Sequence, residues 1–214
     1  SEKEKFWQPY SRAADNTGTE QLLFTTDSSL FPQQISHHGK RLLYVKFQLD
    51  GEAEMRTIAI QPGTSEKDSV LLLKQSASIG SAQFSPDDRW IAYSSLETGQ
   101  SEIFVRPANG EDRKWQISTD GGSAAIWSPS GNEVFYLCGT KVMAVPYQET
   151  ADSFSPGTPK LLFDNHLISS MDISPKGDRF LAVENPKFGT DTTLDVTTNW
   201  FDEVARKMSQ ASQP

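Results

Sequence analysis

The sequence is poor in residues that crosslink a chain or bind metals. It has one cysteine, Cys138, and three histidines among 214 residues. A single cysteine cannot form a disulfide within the chain, so it leaves the redox compartment open. Cys138 ends an apolar run that begins at Val134, and we interpret it as a buried, unreactive thiol. The chain is long enough to bury a substantial apolar core.

Long apolar runs and an excess of positive charge are also absent. No apolar stretch approaches the roughly 20 residues that a membrane-spanning helix requires. Lysine and arginine number 20 against 28 aspartates and glutamates, which gives a formal net charge of −8. This balance argues against nucleic acid or an anionic membrane as a partner. The lack of a long apolar run argues against membrane insertion by this chain. Because the chain begins at Ser1, we expect a processed protein or an excised domain.

Common catalytic motifs are missing as well. The sequence has no G-x-S-x-G nucleophile elbow, phosphate-binding glycine loop, dinucleotide fingerprint or protein-kinase signature. The carboxylate groupings Asp87-Asp88 and Asp191 with Asp195 do not match the spacing of an EF-hand. His166 has no HxxxH or cysteine partner, which argues against a zinc site. The sequence therefore predicts a non-catalytic protein without a metal ion or cofactor.

What the sequence does contain is a repeat. Four stretches share a large apolar residue, then serine, two turn-forming residues, and glycine or aspartate. Their serines lie 49, 43 and 46 residues apart, and a strand-like run follows each stretch. Repeats of this length are typical of solenoids and propellers. The four stretches, called the anchor turns below, are Ile35–Gly39, Phe84–Asp88, Trp127–Gly131 and Ile173–Gly177.

The strand-like run after each anchor turn indicates how the units pack. In the first unit Leu42 and Tyr44 share one face of the strand, whereas Leu43 points to the other. Both faces are apolar in all four units, which predicts strands buried on both sides. Short strands between Gly, Pro and Asp turns are typical of all-β folds. We therefore predict a β-propeller, in which four-stranded blades pack between neighbouring blades.

His37 and His38 look at first like a metal-binding or catalytic pair. They stand where the other anchor turns have proline followed by Asp, Ser or Lys, so we interpret them as part of a surface turn. Trp90 and Trp127 fall at repeat positions that face the interior, which indicates core residues rather than a ligand platform.

The repeat begins and ends part-way through a unit. The N-terminal stretch supplies the equivalents of strands three and four, and the C-terminal one supplies strands one and two and a third strand. Together with three complete units, the chain holds about four blades' worth of strands. The predicted boundaries are a partial blade at 7–26, units at 31–74, 81–118 and 124–163, a partial blade at 169–200, and a tail helix at 200–209.

The two partial blades leave two arrangements open. They pair into one composite blade and close a small ring of about four blades, or the chain is the last part of a longer propeller. In the second case its open edges pair with something else, because unpaired strand edges invite pairing. We favour the longer propeller and expect self-association through the open edges.

The second unit carries a family resemblance. Phe84–Tyr93 resembles the repeat of TolB-type, WD-repeat-like β-propellers. Longer stretches are similar to the C-terminal propeller of certain bacterial membrane-bound serine/threonine protein kinases, and the resemblance runs from about Tyr10 to Trp200. The stretches are Ser101–Pro107, Lys114–Gly122, Trp127–Pro129, Arg179–Leu181 and Asn199–Phe201.

This resemblance implies a recognition or scaffold module that is the sensory part of a larger bacterial signalling protein, on the extracytoplasmic side. The kinase domain would then lie elsewhere. The alternatives are a propeller that accompanies or gates a peptidase or hydrolase, and a TolB-like periplasmic scaffold. The residues themselves leave a cytoplasmic location open.

The predicted binding surface is one rim of the propeller. The loops from strand two to strand three, and from strand four to the next blade, meet at one end of the blades. They carry mostly acidic side chains, which suit a protein, a basic peptide or a small polar ligand. The residues predicted to form this site are Asp27, Asp50, Glu97, Asp120 and His166.

Overall fold

The computed structural model describes residues 6–15, 17–61, 63–150, 152–164 and 168–184. In these ranges the chain forms seventeen β-strands and one short 3-10 helix, Glu66–Asp68, with no α-helix. None of these elements is a helix of the length and apolarity needed to cross a membrane. The predicted tail helix at 200–209, the end of the last partial blade and His166 lie outside the described residues.

All strand pairings in the described ranges are antiparallel, and the strands form five successive sheets. The strands are β1 Tyr10–Ser11, β2 Gln21–Leu22, β3 Ser29–Ile35, β4 Arg41–Phe47, β5 Ala53–Ala59, β6 Val70–Gln75, β7 Ile79–Phe84, β8 Trp90–Ser95, β9 Glu102–Pro107, β10 Trp115–Gln116, β11 Ser123–Trp127, β12 Glu133–Cys138, β13 Lys141–Glu149, β14 Phe154–Pro156, β15 Lys160–Asp164, β16 Ile168–Ile173 and β17 Phe180–Glu184.

Three of the sheets are complete blades. Blade 1 contains β3 to β6 and blade 2 contains β7 to β10, each in sequence order across the sheet. Blade 3 contains β11, β12, β13 and β15, and β14 pairs with the far end of β13. Two-stranded sheets flank them: the N-terminal hairpin, β1–β2, and the C-terminal hairpin, β16–β17. The predicted all-β propeller with four-stranded blades is confirmed.

The apolar core lies between the blades. On β4, Leu43 belongs to the core shared with blade 2, whereas Leu42 belongs to the core shared with the N-terminal segment. On β12, Val134 faces blade 2 and Phe135 faces the C-terminal hairpin. Strand two of each complete blade is thus buried on both faces, and each large apolar side chain removed from water contributes roughly 1.5–3 kcal/mol.

Each anchor turn is a hairpin turn between strands one and two. In blade 1 the N–H of Gly39 donates to the carbonyl of Ser36 at 2.7 Å, and the equivalent bond recurs at the other three turns. The residue at the last turn position has positive φ: 71° at Gly39, 75° at Gly131, 71° at Gly177 and 60° at Asp88. This backbone conformation favours glycine, and Asp tolerates it better than most residues.

In blade 3, Pro146 lies inside the third strand, β13. The strand continues to Glu149. Proline lacks an N–H, but its carbonyl accepts a hydrogen bond from Gly157 at 2.7 Å, and the N–H of Tyr147 donates to Asn132. Pro146 sits opposite Glu133, at the end of the β12–β13 pairing, where a missing donor costs little.

Candidate functional site

The loops that carry the predicted site residues lie at one end of the blades, as antiparallel order requires. We call this end the loop rim; it comprises residues 25–28, 48–52, 76–78, 96–101, 117–122 and 139–140. Hydrogen bonds join neighbouring loops. The side chain of Gln75 donates to Ser95 at 2.8 Å, the N–H of Leu96 donates to Ser78 at 3.3 Å, and Gln100 donates to Thr119 at 3.2 Å.

The buried side chain of Glu102 holds the loops of blade 2 in place. Its side chain is buried, with the residue 1% exposed, and it begins β9. Its carboxylate accepts hydrogen bonds from the Ser118 hydroxyl, from the N–H of Gly121 at 3.0 Å, and from the Gln100 side chain at 2.5 Å. These three hydrogen bonds replace the hydration that the carboxylate loses on burial, and so they stabilise it. The loops around Glu97 and Asp120 are therefore fixed before any ligand arrives.

Two of the predicted acidic residues have basic partners. Asp27 Oδ1 lies 2.9 Å from Lys46 Nζ, and its side chain remains 88% exposed. The hydrogen bond from Lys46 lowers the pKa of Asp27 below its usual range. Both carboxylate oxygens of Glu97 accept from Lys114 Nζ, at 2.6 and 2.7 Å. Each acid is thus paired with a lysine, and Asp27 remains open to solvent whereas the Glu97 side chain is only 20% exposed.

The other two described candidates interact mainly with backbone. Asp50 Oδ1 accepts from the N–H of Glu52 at 3.0 Å, which closes the β4–β5 turn. The carbonyl of Asp120 accepts a hydrogen bond from Cys138 Sγ at 3.2 Å, and the Asp120 side chain is exposed. Cys138 is therefore half-buried at the rim rather than fully enclosed. The structure places these acids on four separate loops of one rim.

Sequence reasoning missed a charged cleft beside Asp27. Lys46, 8% exposed, also binds Glu66 Oε1 at 2.7 Å, and Arg56 binds Glu54 Oε2 at 2.8 Å. Burial alone would lower the pKa of Lys46, but hydrogen bonds to Glu66 and Asp27 outweigh it and raise that pKa. The cleft, about 460 Å³, is lined by these residues. The one sequence signal was a lysine at the end of an otherwise apolar strand.

Apolar side chains are also exposed at the rim. Leu49, in the β4–β5 turn, is 88% exposed, and Leu96, in the β8–β9 turn, is 46% exposed. Phe47 precedes the first of these turns and contacts the ring of Phe31 at a centroid distance of 5.4 Å. The rim thus offers apolar contacts between its acidic groups. Within the described ranges, no group of three or more His, Cys, Asp or Glu side chains could hold a metal ion.

His37 and His38 lie at the opposite end of the blades and join two of them. They form the first anchor turn, and both bind Asp88 of the second. Their Nδ1 atoms lie 3.1 and 2.6 Å from the two Asp88 oxygens, and their backbone N–H groups donate to the same oxygens at 2.7 and 3.0 Å. The pair forms a structural link between blades 1 and 2, away from the loop rim.

No protein-family model matches the chain, and a search of curated proteins found no match. Solved structures do match. TolB from Acinetobacter baumannii is 16% identical, with a TM-score of 0.59 over 80% of this chain and 41% of that one. A putative TolB from Agrobacterium tumefaciens is 22% identical, with a TM-score of 0.55 over 77% and 61%. This chain has the fold of a TolB-type β-propeller.

The same fold occurs in proteins of other kinds. An oligogalacturonate lyase in complex with manganese is 11% identical, with a TM-score of 0.57 over 78% of this chain and 50% of that one. The chain spans about 41–61% of the length of these three structures. At such identities the likeness establishes the fold, and function has to be argued from the residues of this chain.

Proposed function

We propose that this chain is a non-catalytic recognition module that binds a basic, partly apolar peptide segment of a protein partner at the loop rim. The observation that carries the proposal is the fixed geometry of the rim. Buried Glu102 orders the loops of Glu97 and Asp120, while Asp27, Asp50 and Asp120 are exposed at the rim. A preordered surface loses little conformational entropy on binding.

Charge and apolar exposure define the kind of partner. The chain has a net charge of −8, and Asp27, Asp50, Glu97 and Asp120 contribute to it at this rim. Acidic surfaces attract basic partners and speed their association. Leu49 and Leu96 provide apolar contacts between the acidic groups. A segment that alternates basic and apolar residues would satisfy both features.

Peptide binding tests this proposal. A fluorescein-labelled peptide of alternating lysine and leucine should bind the whole chain, and its fluorescence anisotropy gives the affinity. The triple variant Asp50→Asn, Glu97→Gln, Asp120→Asn should bind at least about tenfold more weakly at low salt, because charge pairs across an interface contribute on this scale. The matched control is Asp178→Asn, which removes one charge near the anchor turns and should leave the affinity unchanged.

Two results would count against the proposal: equal binding of the peptide with glutamate in place of lysine, or an unchanged affinity of the triple variant. Catalytic turnover of ester or peptide substrates by this chain, abolished by Glu97→Gln or Asp120→Asn, would contradict the non-catalytic assignment.

The wider role rests on the sequence resemblance to kinase propellers. It supports placement of this module as the sensory part of a larger bacterial signalling protein, outside the cytoplasm. A kinase domain and a membrane-spanning segment in the same gene would support that role. A G-x-S-x-G domain in the same gene would instead support the role of a propeller that accompanies a peptidase.

A further inference from the structure

An exposed row of aromatic rings lies beside the loop rim on blade 1. Trp7 is 70% exposed, and Phe31 and Phe47 are each 38% exposed. The ring centroids of Trp7 and Phe31 are 5.8 Å apart, and those of Phe31 and Phe47 are 5.4 Å apart, both in edge-to-face contact. None of the three belongs to the cores that the described residues form between the blades. We call these three residues the aromatic row.

Strand pairing places the aromatic row next to two loops of the rim. Phe31 is opposite Val45, two residues before Phe47, so the two phenylalanines share one face of the sheet. The rim loop 25–28 directly precedes β3, which carries Phe31, and the rim loop 48–52 directly follows Phe47. The row therefore begins at the rim and continues along the edge strand of blade 1.

Hydrogen bonds next to Trp7 hold the third ring in place. The side-chain amide of Gln8 donates to the carbonyl of Thr26 at 3.0 Å, and its oxygen accepts from the N–H of Thr26 at 3.0 Å. This pair of bonds ties the residue beside Trp7 to the rim loop that carries Asp27. A ligand that binds the row thus meets rings that are already ordered, which lowers the entropic cost of binding.

Exposed carboxylates stand on both rim loops beside the row. Asp27 directly follows Thr26, and its side chain is 88% exposed. Asp50 lies three residues after Phe47, is exposed, and binds the backbone N–H of Glu52. A guanidinium group matches this combination, because its flat faces stack on aromatic rings while its N–H groups bind carboxylates. The lysine ammonium is a compact and more strongly hydrated charge, so it gains less from the rings.

We propose that the aromatic row, with Asp27 and Asp50, binds arginine side chains of the partner segment in preference to lysine. The inference rests on the proposed function and narrows it, since it makes arginine the basic residue that faces blade 1. Leu49, 88% exposed in the turn after Phe47, offers apolar surface to the neighbouring residues of the same segment.

Two peptides of equal length and charge test the preference. One alternates arginine with leucine, and the other alternates lysine with leucine. Attraction by charge alone predicts the same affinity for both peptides. With the whole chain, fluorescence anisotropy at low salt should show that the arginine peptide binds at least about threefold more tightly, which is the scale of an exposed cation–π contact.

Substitutions in the row should remove the preference. Trp7→Leu and Phe47→Leu keep an apolar side chain but delete the aromatic face. Each should reduce the affinity for the arginine peptide to nearly that for the lysine peptide, whose own affinity should change by less than about twofold. The matched control is Tyr10→Leu, which makes the same change at a 58% exposed ring on β1, outside the row, and should keep the preference. Far-ultraviolet circular dichroism would verify that all three variants fold.

Gln8 is assigned a positioning role, which the ratio of the two affinities tests. Gln8→Ala removes both bonds to Thr26 and frees Trp7, so it should lower the preference for arginine. A general loss of stability would weaken both peptides alike and leave the ratio unchanged. An unchanged ratio in Gln8→Ala would therefore contradict the role of Gln8.

The outcomes separate this inference from the proposal on which it rests. Equal affinity of the wild-type chain for the two peptides overturns the arginine preference and leaves the acidic rim as the binding surface. An equal loss of preference in Tyr10→Leu and Trp7→Leu overturns the assignment to the aromatic row. If neither peptide binds, both proposals are wrong.

Discussion

Asp88 has an unusual position for an aspartate. Its φ of 60° is one that the other anchor turns give to glycine. Its side chain is 8% exposed, and its two oxygens accept hydrogen bonds from the backbone and the imidazoles of His37 and His38. Arg41 donates to its carbonyl at 2.6 Å and to that of Ala108. The strained backbone is thus offset by a link between two blades.

Asp88→Asn should reveal this link through its pH dependence. Burial alone would raise the pKa of Asp88, but the hydrogen bonds from His38 and His37 outweigh it and lower the pKa to about 2. The folded pKa is below the ordinary 3.8, so the stabilisation is complete above that value and is lost as pH falls through 3.8 towards 2. The variant should lose roughly 2 kcal/mol at neutral pH, measured by urea unfolding.

The difference between wild type and Asp88→Asn should shrink at about pH 3, because there the Asp88 carboxylate of the unfolded wild type is largely protonated while that of the folded protein is still mostly ionised. Asparagine tolerates positive φ, so backbone strain is not the cause. Asp178→Asn is the control, since that carboxylate binds Ser174 and Arg179 of its own turn and is exposed. A loss of stability that is the same at both pH values would contradict the assigned role.

Glu102→Ala should loosen the loop rim without unfolding the blades. It removes the acceptor that Ser118, Gly121 and Gln100 share. Unsatisfied buried donors cost about 1–3 kcal/mol, which is a large share of the local stability of a loop. Amide hydrogen exchange should become faster at residues 96–101 and 117–122, with blade 1 unaffected. Unchanged exchange in these loops would show that Glu102 does not order the rim.

Among the elements, β14 is a short strand that closes an aromatic core. Phe154, 2% exposed, lies within 4.8 Å of Tyr147, 5.4 Å of Trp90, 5.8 Å of Trp115 and 6.1 Å of Trp127, measured between ring centroids. Three of these rings are buried, and two belong to blade 2. The insertion between β13 and β15 therefore ties blade 3 to its neighbour.

Phe154→Ala should destabilise the protein by about 3–5 kcal/mol, since it leaves a cavity between two blades. Tryptophan fluorescence during urea unfolding measures this directly, because the lost ring borders three tryptophans. Phe47→Ala, at a residue 38% exposed, is the matched control and should cost much less. A small loss in Phe154→Ala would mean that β14 is dispensable for the junction.

The central strands of the blades could be predicted from the sequence better than the extra strand β14 and the polar clusters around Lys46 and Asp88. Strand two of each blade was predictable, because two apolar faces after a turn motif have few structural explanations. The strand β14 was not, since Phe154 is a lone aromatic residue in a polar stretch and its contacts come from other blades. The clusters around Lys46 and Asp88 were missed for the same physical reason: their partners are distant in sequence.

At the scale of the whole molecule, the blades form a linear series in which each contacts its neighbours. Among the residues that the structure describes, the cores lie between successive sheets, so a central blade is covered on two faces and a terminal hairpin on one. Stability in such a series is approximately a sum of units and junctions. The middle of the chain should therefore be the last part to open, and the ends the first.

Hydrogen exchange should follow this order in dilute protein. On β8 and β9 of blade 2, Ile91, Tyr93, Ile103 and Val105 are all 0% exposed, so their amides should exchange most slowly. The amides of β1, where Tyr10 is 58% exposed, should exchange fastest among the strands, because fewer contacts must break to open it. Mass spectrometry of peptic fragments resolves the gradient strand by strand. If β1 exchanged as slowly as β8 in the monomer, the blades would unfold as one unit and the linear description would be wrong.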